Sequence, residues 1–297
     1  MLLSTMTNYL WTLYGSERAI RMIAQAGFDA IDWSVYDANA ASTLVRFSDY
    51  REKALEIRHM AEDCGMTVNQ CHAPFRFDFA SEAGFADAFE MVTRCIEAAA
   101  IMGAGTIVVH PLHFRRYRQN QALVYKENLA YFRSLLSCAE ESGIVLCAEN
   151  MWQWNDAHTA VAADACAFPE ELSSLIDEIG SEHFAACLDL GHAEVTGRET
   201  QCTTADFIRR LGGKRLRALH VHDSDGQSDL HTAPYIGKID WDGVLTALKE
   251  IGYTGDFTFE ADPFLEAYPR DFLPTALRFL HDTGRTLLQN LLPRDDS

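Results

Sequence analysis

The chain has 297 residues, of which 48% are hydrophobic, enough to fill a large core in two ordinary domains or in one barrel of about 250 residues. Its 25 basic and 43 acidic residues leave a net charge of −18, which disfavours nucleic acid and anionic membranes and suits a neutral or cationic small molecule. Eight cysteines are scattered with no Cys-x-x-Cys pair, no apolar run approaches the ~18 residues of a membrane span, and the first residues lack the basic and apolar regions of a secretory signal, so a reducing cytoplasm is expected.

The first strand is expected over residues 2–7, with Tyr9, Trp11 and Tyr14 following it. A helix over Glu17–Ala26, with Ala19, Ile20, Met22, Ile23 and Ala26 on one face, ends at Gly27 before a second strand over 28–33. Arg51–Cys64 repeats the phrase, and Gly65 leads into a third strand over 67–72 that ends on His72, with Phe75, Phe77 and Phe79 beyond it. Phe89–Met102 passes through Gly103 and Gly105 into a fourth strand over 105–110, ending on His110; Arg115, Arg116 and Arg118 follow, either an anion site or a solvated basic turn. Glu127–Glu140 and Gly143 precede a fifth strand over 144–149, ending on Glu149, with Trp152 and Trp154 just after it.

Pro169 marks a helix start, and a sixth strand over 184–189 ends on Asp189, three residues before His192. The seventh strand, 216–222, carries His220 and His222 on one side, because alternate residues of a strand share a face. Residues 223–239 lack helical periodicity and are expected to form a functional loop over the barrel mouth; they hold Asp229, His231 and Lys238. Asp240 and Asp242 offer caps to a helix over Val244–Ile251, and the eighth strand, 256–260, ends on Glu260.

Eight strands, each a continuous apolar run followed by a helix and recurring at roughly 35–40 residues, predict a single-domain (β/α)8 TIM barrel over 1–297. No Gly-x-Gly-x-x-Gly follows the first strand, which argues against a dinucleotide fold. In a parallel barrel all strand ends lie at one mouth, so their His, Asp and Glu side chains converge. Buried carboxylates at strand ends are costly unless paired or bound to metal. Any one of them alone is as well explained by capping a helix or by an Arg or Lys partner. Glu149, Asp189, His220 and Glu260 on four strands favour a metal site, mainly oxygen, suited to Mn²⁺ or Mg²⁺, with Co²⁺, Fe²⁺ or Zn²⁺ as alternatives. The aromatic side chains at the same end suit the C–H faces of sugars.

Glu149-Asn150, Asp189-Leu-Gly-His192, His220-Val-His222-Asp223 with Asp229-Leu-His231, Gly237-Lys-Ile-Asp-Trp241 and the terminal Glu260 resemble the xylose isomerase-like TIM barrel superfamily, which groups sugar isomerases and epimerases with the AP endonuclease family 2. The resemblance implies one ion held by Glu149, Asp189, His220 and Glu260, with His222 replacing His220 if the register shifts by two. It implies Glu149 and Glu260 as the catalytic acid–base pair acting beside a sugar carbonyl. His72, His110, His192, His222, Trp152 and Lys238 are expected to bind substrate. Asp229 and His231 are additional metal ligands if the site holds more than one ion, because residue types matching all nine ligands of the three-zinc endonuclease IV site are present. The alternatives are therefore an endonuclease IV-like zinc phosphodiesterase on abasic DNA, a lyase or dehydratase with the same carbanion chemistry, and a metal-free binding barrel. The resemblance also implies a homodimer or homotetramer, a sugar or sugar derivative as partner, and neither nucleic acid nor membrane.

Overall fold

Apolar runs too short for helices and buried on both faces make parallel strands, and the chain builds eight of them into a barrel. A computed structural model describes residues 1–34, 43–75, 77, 79, 81–113 and 115–291; the other positions of the expected 1–297 domain lie outside the described residues. In chain order the strands are β1 (Leu3–Met6), β2 (Ala30–Ser34), β3 (Thr67–His72), β4 (Thr106–Val109), β5 (Val145–Glu149), β6 (Trp152–Trp154), β7 (Val161–Ala163), β8 (Phe184–Asp189), β9 (Leu216–His220) and β10 (Phe257–Phe259). The barrel sheet runs β10-β1-β2-β3-β4-β5-β8-β9, all parallel, and β6 and β7 form a separate antiparallel hairpin. A parallel bridge between Val221 and Phe259 closes the ring, with the Val221 amide donating to the Thr258 carbonyl at 2.8 Å and the Glu260 amide to the Val221 carbonyl at 3.2 Å.

All eight expected barrel strands are present. The helices over Ser16–Ala26, Tyr50–Asp63 and Trp241–Glu250 match their expected spans within a few residues, and the helix Pro169–Ile179 starts at the expected proline. Two helices run longer than their apolar period suggested. Glu82–Met102 begins where the Ser81 hydroxyl accepts the Gly84 amide, and Tyr117–Ser142 crosses a kink at Asn120, whose side chain bonds the Arg116 carbonyl at 2.8 Å. The Gly expected to end that helix, Gly143, takes φ 68°, which a Cβ disfavours. The β6–β7 hairpin is an addition to the expected pattern, and the helix expected after the Phe184–Asp189 strand comes as a pair, Leu190–Thr200 and Thr204–Leu211.

Leu3, Ile31, Ile107, Leu146, Leu188, Leu219 and Phe259 are wholly buried in the apolar core. A polar plug lies inside the barrel: Asp32 accepts from the Ser34 hydroxyl at 2.6 Å and from the Gln70 amide at 2.8 Å. The eight cysteines are free thiols, six of them buried, as small apolar core residues are. Among the described residues no helix is long and apolar enough to cross a membrane.

The loop expected over 223–239 lies between β9 and the Trp241–Glu250 helix, held by one carboxylate. Buried Asp223 accepts the amides of Ser224 (2.8 Å) and Ile239 (3.1 Å) on Oδ1, and the Tyr235 amide and Trp241 indole N–H (both 2.9 Å) on Oδ2. Asp223→Ala strands these donors and is expected to cost about 3 kcal/mol or more in urea unfolding, since each buried donor left unpaired costs about 1–3 kcal/mol. A loss below about 1 kcal/mol would mean that the loop is held by other contacts.

Candidate active site

Parallel strands bring their C-terminal ends to one mouth, so Glu149 at the end of β5, Asp189 at the end of β8, His220 at the end of β9 and Glu260 just beyond β10 meet there. The register places Asp189 beside His220. His220 Nδ1 lies 3.1 Å from Glu149 Oε1, 2.9 Å from Glu260 Oε2 and 3.9 Å from Asp189 Oδ2. One ligand atom from each of the four falls within 4.8 Å of those from the other three. Asn150 sets the geometry: its amide donates to the Asp189 carbonyl at 3.0 Å and its Oδ1 accepts the Asp189 N–H at 2.8 Å.

Three carboxylates and one imidazole, all buried, fit a divalent ion, because without a cation the site carries unbalanced negative charge in a low-dielectric interior. Burial alone would raise the carboxyl pKa values. The nearby imidazoles outweigh it: His220 and His110 hold Glu149, and His220 and His231 hold Glu260, well below the usual carboxylate range. In turn, against the pull of burial, Cys187, Glu260 and Glu149 hold His220 well above its usual value.

Three more histidines near the mouth share an arrangement that suits metal ligation. His72 Nδ1 faces the Ala73 carbonyl at 2.7 Å, His192 Nδ1 the Asn150 carbonyl at 2.9 Å, and His231 Nδ1 the Glu260 carbonyl at 2.9 Å. A carbonyl only accepts, so each Nδ1 carries the proton and each Nε2 of a neutral ring presents a lone pair. These Nε2 atoms face carboxylates: His72 lies 3.5 Å from Glu149 Oε2, and His192 and His231 lie 3.3 and 3.0 Å from Asp229 Oδ2. Lone pair against carboxylate needs a proton or a cation between them. His110 Nε2 also faces Glu149 Oε2, at 3.2 Å, and burial presses its pKa down to about 4.

Two tiers of residues result. Glu149, Asp189, His220 and Glu260 form the inner set, with His72 and His110 beside Glu149. His192, His222, Asp229 and His231 form a second set whose ligand atoms also lie within 4.8 Å of one another. The His222 and His231 rings stack at 4.0 Å, and the Trp152 indole donates to Asp229 Oδ2 at 3.0 Å. His220, not His222, joins the inner set, so the two-residue register shift does not occur. His222 Nε2 instead meets both Asp189 oxygens at 2.9 and 3.0 Å.

Gly191 shows why the Asp-Leu-Gly-His motif needs its glycine: a Cβ there would lie 1.9 Å from His222 Cε1. Gly191→Ala is expected to push His222 off Asp189, lower bound metal at least about tenfold and reduce stability by about 1–3 kcal/mol, as overpacking does. Metal content and thermal unfolding check it; a variant with full metal content would show that His222 has room to move.

A cavity of about 850 Å³ opens above the two sets. Trp11, Phe75, Trp152 and Trp154 give it aromatic walls, and Glu149, Asp229, Glu260, Asp262 and Glu266 give it acidic ones; no described Lys or Arg lines it. Of the residues expected to bind substrate, His110, His192 and Trp152 face this cavity. His72 and His222 are fully buried and are not among its lining residues. Lys238 does not reach it: its side chain is exposed and only its backbone is tied down, to the Ser224 carbonyl. The three arginines after β4 are solvated ion pairs, with Glu127, Asp156 and Glu199, and not an anion site.

Sequence reasoning missed His113, Asp164 and Asp262, because none of them ends a barrel strand. Asp262 Oδ2 accepts the Tyr9 amide at 2.8 Å, and burial together with Glu260 lifts its pKa to about 7 despite that bond.

Residues 20–281 match the family model described as xylose isomerase-like TIM barrel. Fructoselysine 3-epimerase of Shigella flexneri is 25% identical over 94% of both chains. The uncharacterized protein MJ1311 of Methanocaldococcus jannaschii is 28% identical over 58% of this chain, a match that spans 55% of that protein's length. Among solved structures, a D-tagatose 3-epimerase-like protein superposes with a TM-score of 0.74 at 22% identity, covering 98% of this chain and 100% of the other.

Proposed function

The chain belongs to the xylose isomerase-like TIM barrel family, and from that premise we propose that it is a metal-dependent isomerase or epimerase that moves a proton beside the carbonyl of a sugar or sugar derivative. The observation that carries this reading is the meeting of Glu149 and Glu260 around His220, both bordering an aromatic-walled cavity large enough for a sugar. The epimerase relatives support it. In this reading Glu149, Asp189, His220 and Glu260 hold a divalent ion, Mn²⁺ or Mg²⁺ by the oxygen-rich donor set, and such an ion stabilises negative charge on substrate oxygen.

The rest falls to the chain's own side chains. One of the two glutamates takes the proton from the carbon beside the carbonyl, and the other returns one from the opposite face. His220 Nδ1 faces both glutamates, and Asp189 backs His220. His192 and Trp152, on the cavity wall, orient the hydroxyls and the C–H face of the ring or chain. The test is proton exchange: Mn²⁺-loaded protein incubated with a panel of free ketoses in D₂O should place deuterium beside the carbonyl of one of them. No incorporation from any ketose would sink the carbon-acid mechanism. If deuterium appears, the product separates epimerase from isomerase and from a lyase or dehydratase.

The set His192, His222, Asp229 and His231 favours one second reading, a multi-ion zinc phosphodiesterase. That reading expects about three Zn²⁺ per chain by elemental analysis and nicking of an abasic duplex; one ion per chain and intact DNA would exclude it.

A further inference from the structure

Outside the two carboxylate–histidine sets, one more titratable pair borders the cavity. His113, beyond β4, lines the cavity and is 30% exposed, and its ring lies 5.7 Å from that of His110 on the cavity wall. Its Nδ1 faces Asp164 Oδ2 at 3.6 Å. Asp164 directly follows β7 and is wholly buried. Its Oδ1 is occupied by the Ala165 amide at 2.7 Å, while Oδ2 has no hydrogen-bond partner among the described residues. The backbone on either side is fixed as well, by Asp164 N–H to the Met151 carbonyl at 3.3 Å and Ala167 N–H to the Asp164 carbonyl at 3.1 Å.

A carboxylate buried at a cavity wall with one oxygen facing only an imidazole is costly unless it does something to that imidazole. Here it selects the tautomer. At 3.6 Å, beyond hydrogen-bond distance, the carboxylate attracts the N–H electrostatically and favours the proton on Nδ1, which leaves Nε2, on the other edge of the ring, as an acceptor. No described residue takes a hydrogen bond from or gives one to that Nε2, and the ring is open to the cavity. This arrangement parallels a His oriented by a buried Asp, yet neither residue belongs to the metal-ligating sets. Burial raises the Asp164 pKa, and His113 pulls it back.

We propose that His113 binds substrate, accepting a hydrogen bond at Nε2 from a hydroxyl that lies outside the inner carboxylate set, and that Asp164 is the positioning residue that fixes the ring for it. The proposal rests on the reading of the cavity as a site for a sugar or sugar derivative. It explains why the chain spends a hairpin, β6–β7, directly after Glu149: β6 places Trp152 on one wall, and the return strand β7 delivers Asp164 behind His113.

The test uses the full-length, metal-loaded protein and xylitol, a polyol without the carbonyl that the reaction needs. His113→Ala is expected to weaken xylitol binding about tenfold, the scale of one good hydrogen bond, and His113→Gln, which keeps an amide acceptor, to recover most of it. The imidazole ¹⁵N spectrum is expected to show His113 protonated on Nδ1, with Nε2 shifting as xylitol binds. Asp164→Ala and Asp164→Asn should lose the Nδ1 preference and about threefold or more in affinity.

With any ketose that exchanges its proton, the His113→Ala effect should fall on KM, leaving kcat within about threefold. Xylitol affinity unchanged in His113→Ala, no xylitol binding to the wild type, or a wild-type ring protonated on Nε2 would each overturn the proposal. If xylitol binds through His113 while no ketose exchanges, the carbon-acid reading fails and the His113 assignment stands. If ketoses exchange at wild-type KM in His113→Ala, the reverse holds.

Discussion

Glu149→Gln and Glu260→Gln are each expected to lower turnover by about 10²–10⁴-fold, the range over which a positioned proton-transfer group acts, while leaving the barrel's circular dichroism unchanged. Glutamine keeps the size of the side chain and an oxygen that can face a cation, but it cannot accept a proton at neutral pH. Each glutamate is buried against His220, so its loss also weakens the donor set. The two effects separate by comparison with Asp189→Asn. Asp189 is not among the residues that line the cavity; it meets His220 and His222. Its variant should lose metal affinity and regain most activity in excess Mn²⁺. The glutamate variants should remain slow when fully loaded, because the missing function is proton transfer. If Glu149→Gln and Glu260→Gln both turn over within threefold of wild type at saturating metal, the acid–base assignment is wrong.

The barrel was legible because parallel strands buried on both faces leave a clear trace, eight short apolar runs, most of them entered from a helix through a glycine. The inner set was legible for the same reason. Glu149, Asp189, His220 and Glu260 all stand at run ends, and topology alone carries run ends to one mouth. What the pattern could not supply was depth. His72 and His222 read like His110 and His192 in the sequence, yet the first two are buried away from the cavity lining and the second two face it, a difference set by how far each side chain sits inside the closing ring. Lys238 looked like a substrate group because its motif borders the mouth, but Asp223 pins the loop backbone so that the lysine points outward. His113 and Asp164 were invisible because their contact joins the segment after β4 to the residue following a hairpin whose two three-residue strands are too short to show a period. The long helix Tyr117–Ser142 was truncated in the reading because its first turns, around the Asn120 kink, are polar.

Stripping the metal is expected to abolish turnover, and the manner of its return should count the ions. Metal ligands must be deprotonated, so ion binding expels whatever protons the ligands hold. In the metal-free chain Cys187, Glu260 and Glu149 hold His220 well above an imidazole's ordinary value despite burial; Asp189 and Asp229 do the same to His192, and Asp229 lifts His231 to about 10. These directions favour the protonated ring for all three at neutral pH in the metal-free chain, whereas burial favours the neutral ring for His110. One ion in the inner set therefore expels about one proton, from His220, and filling the second set expels about two more, from His192 and His231.

Calorimetric titration with Mn²⁺ or Zn²⁺ in buffers of different ionisation enthalpy reads that number directly. Stability follows the same logic. The raised histidines contribute fully to the stripped protein below their ordinary value of 6.5, and the contribution is lost as pH rises through the raised values, to about 10 for His231. The depressed carboxyls of Glu149, Glu260 and Asp229 contribute above their ordinary values of 4.5 and 3.8 and lose that contribution as pH falls through the depressed ones. The stripped barrel should thus be most stable between about pH 4.5 and 6.5 and weaken toward pH 9, where ions bind better because fewer protons compete. The rise in Tm on adding metal is accordingly expected to grow from pH 6 to pH 9. A gain independent of pH would mean that the histidines are already neutral in the free chain, and that the carboxylates alone hold the ion.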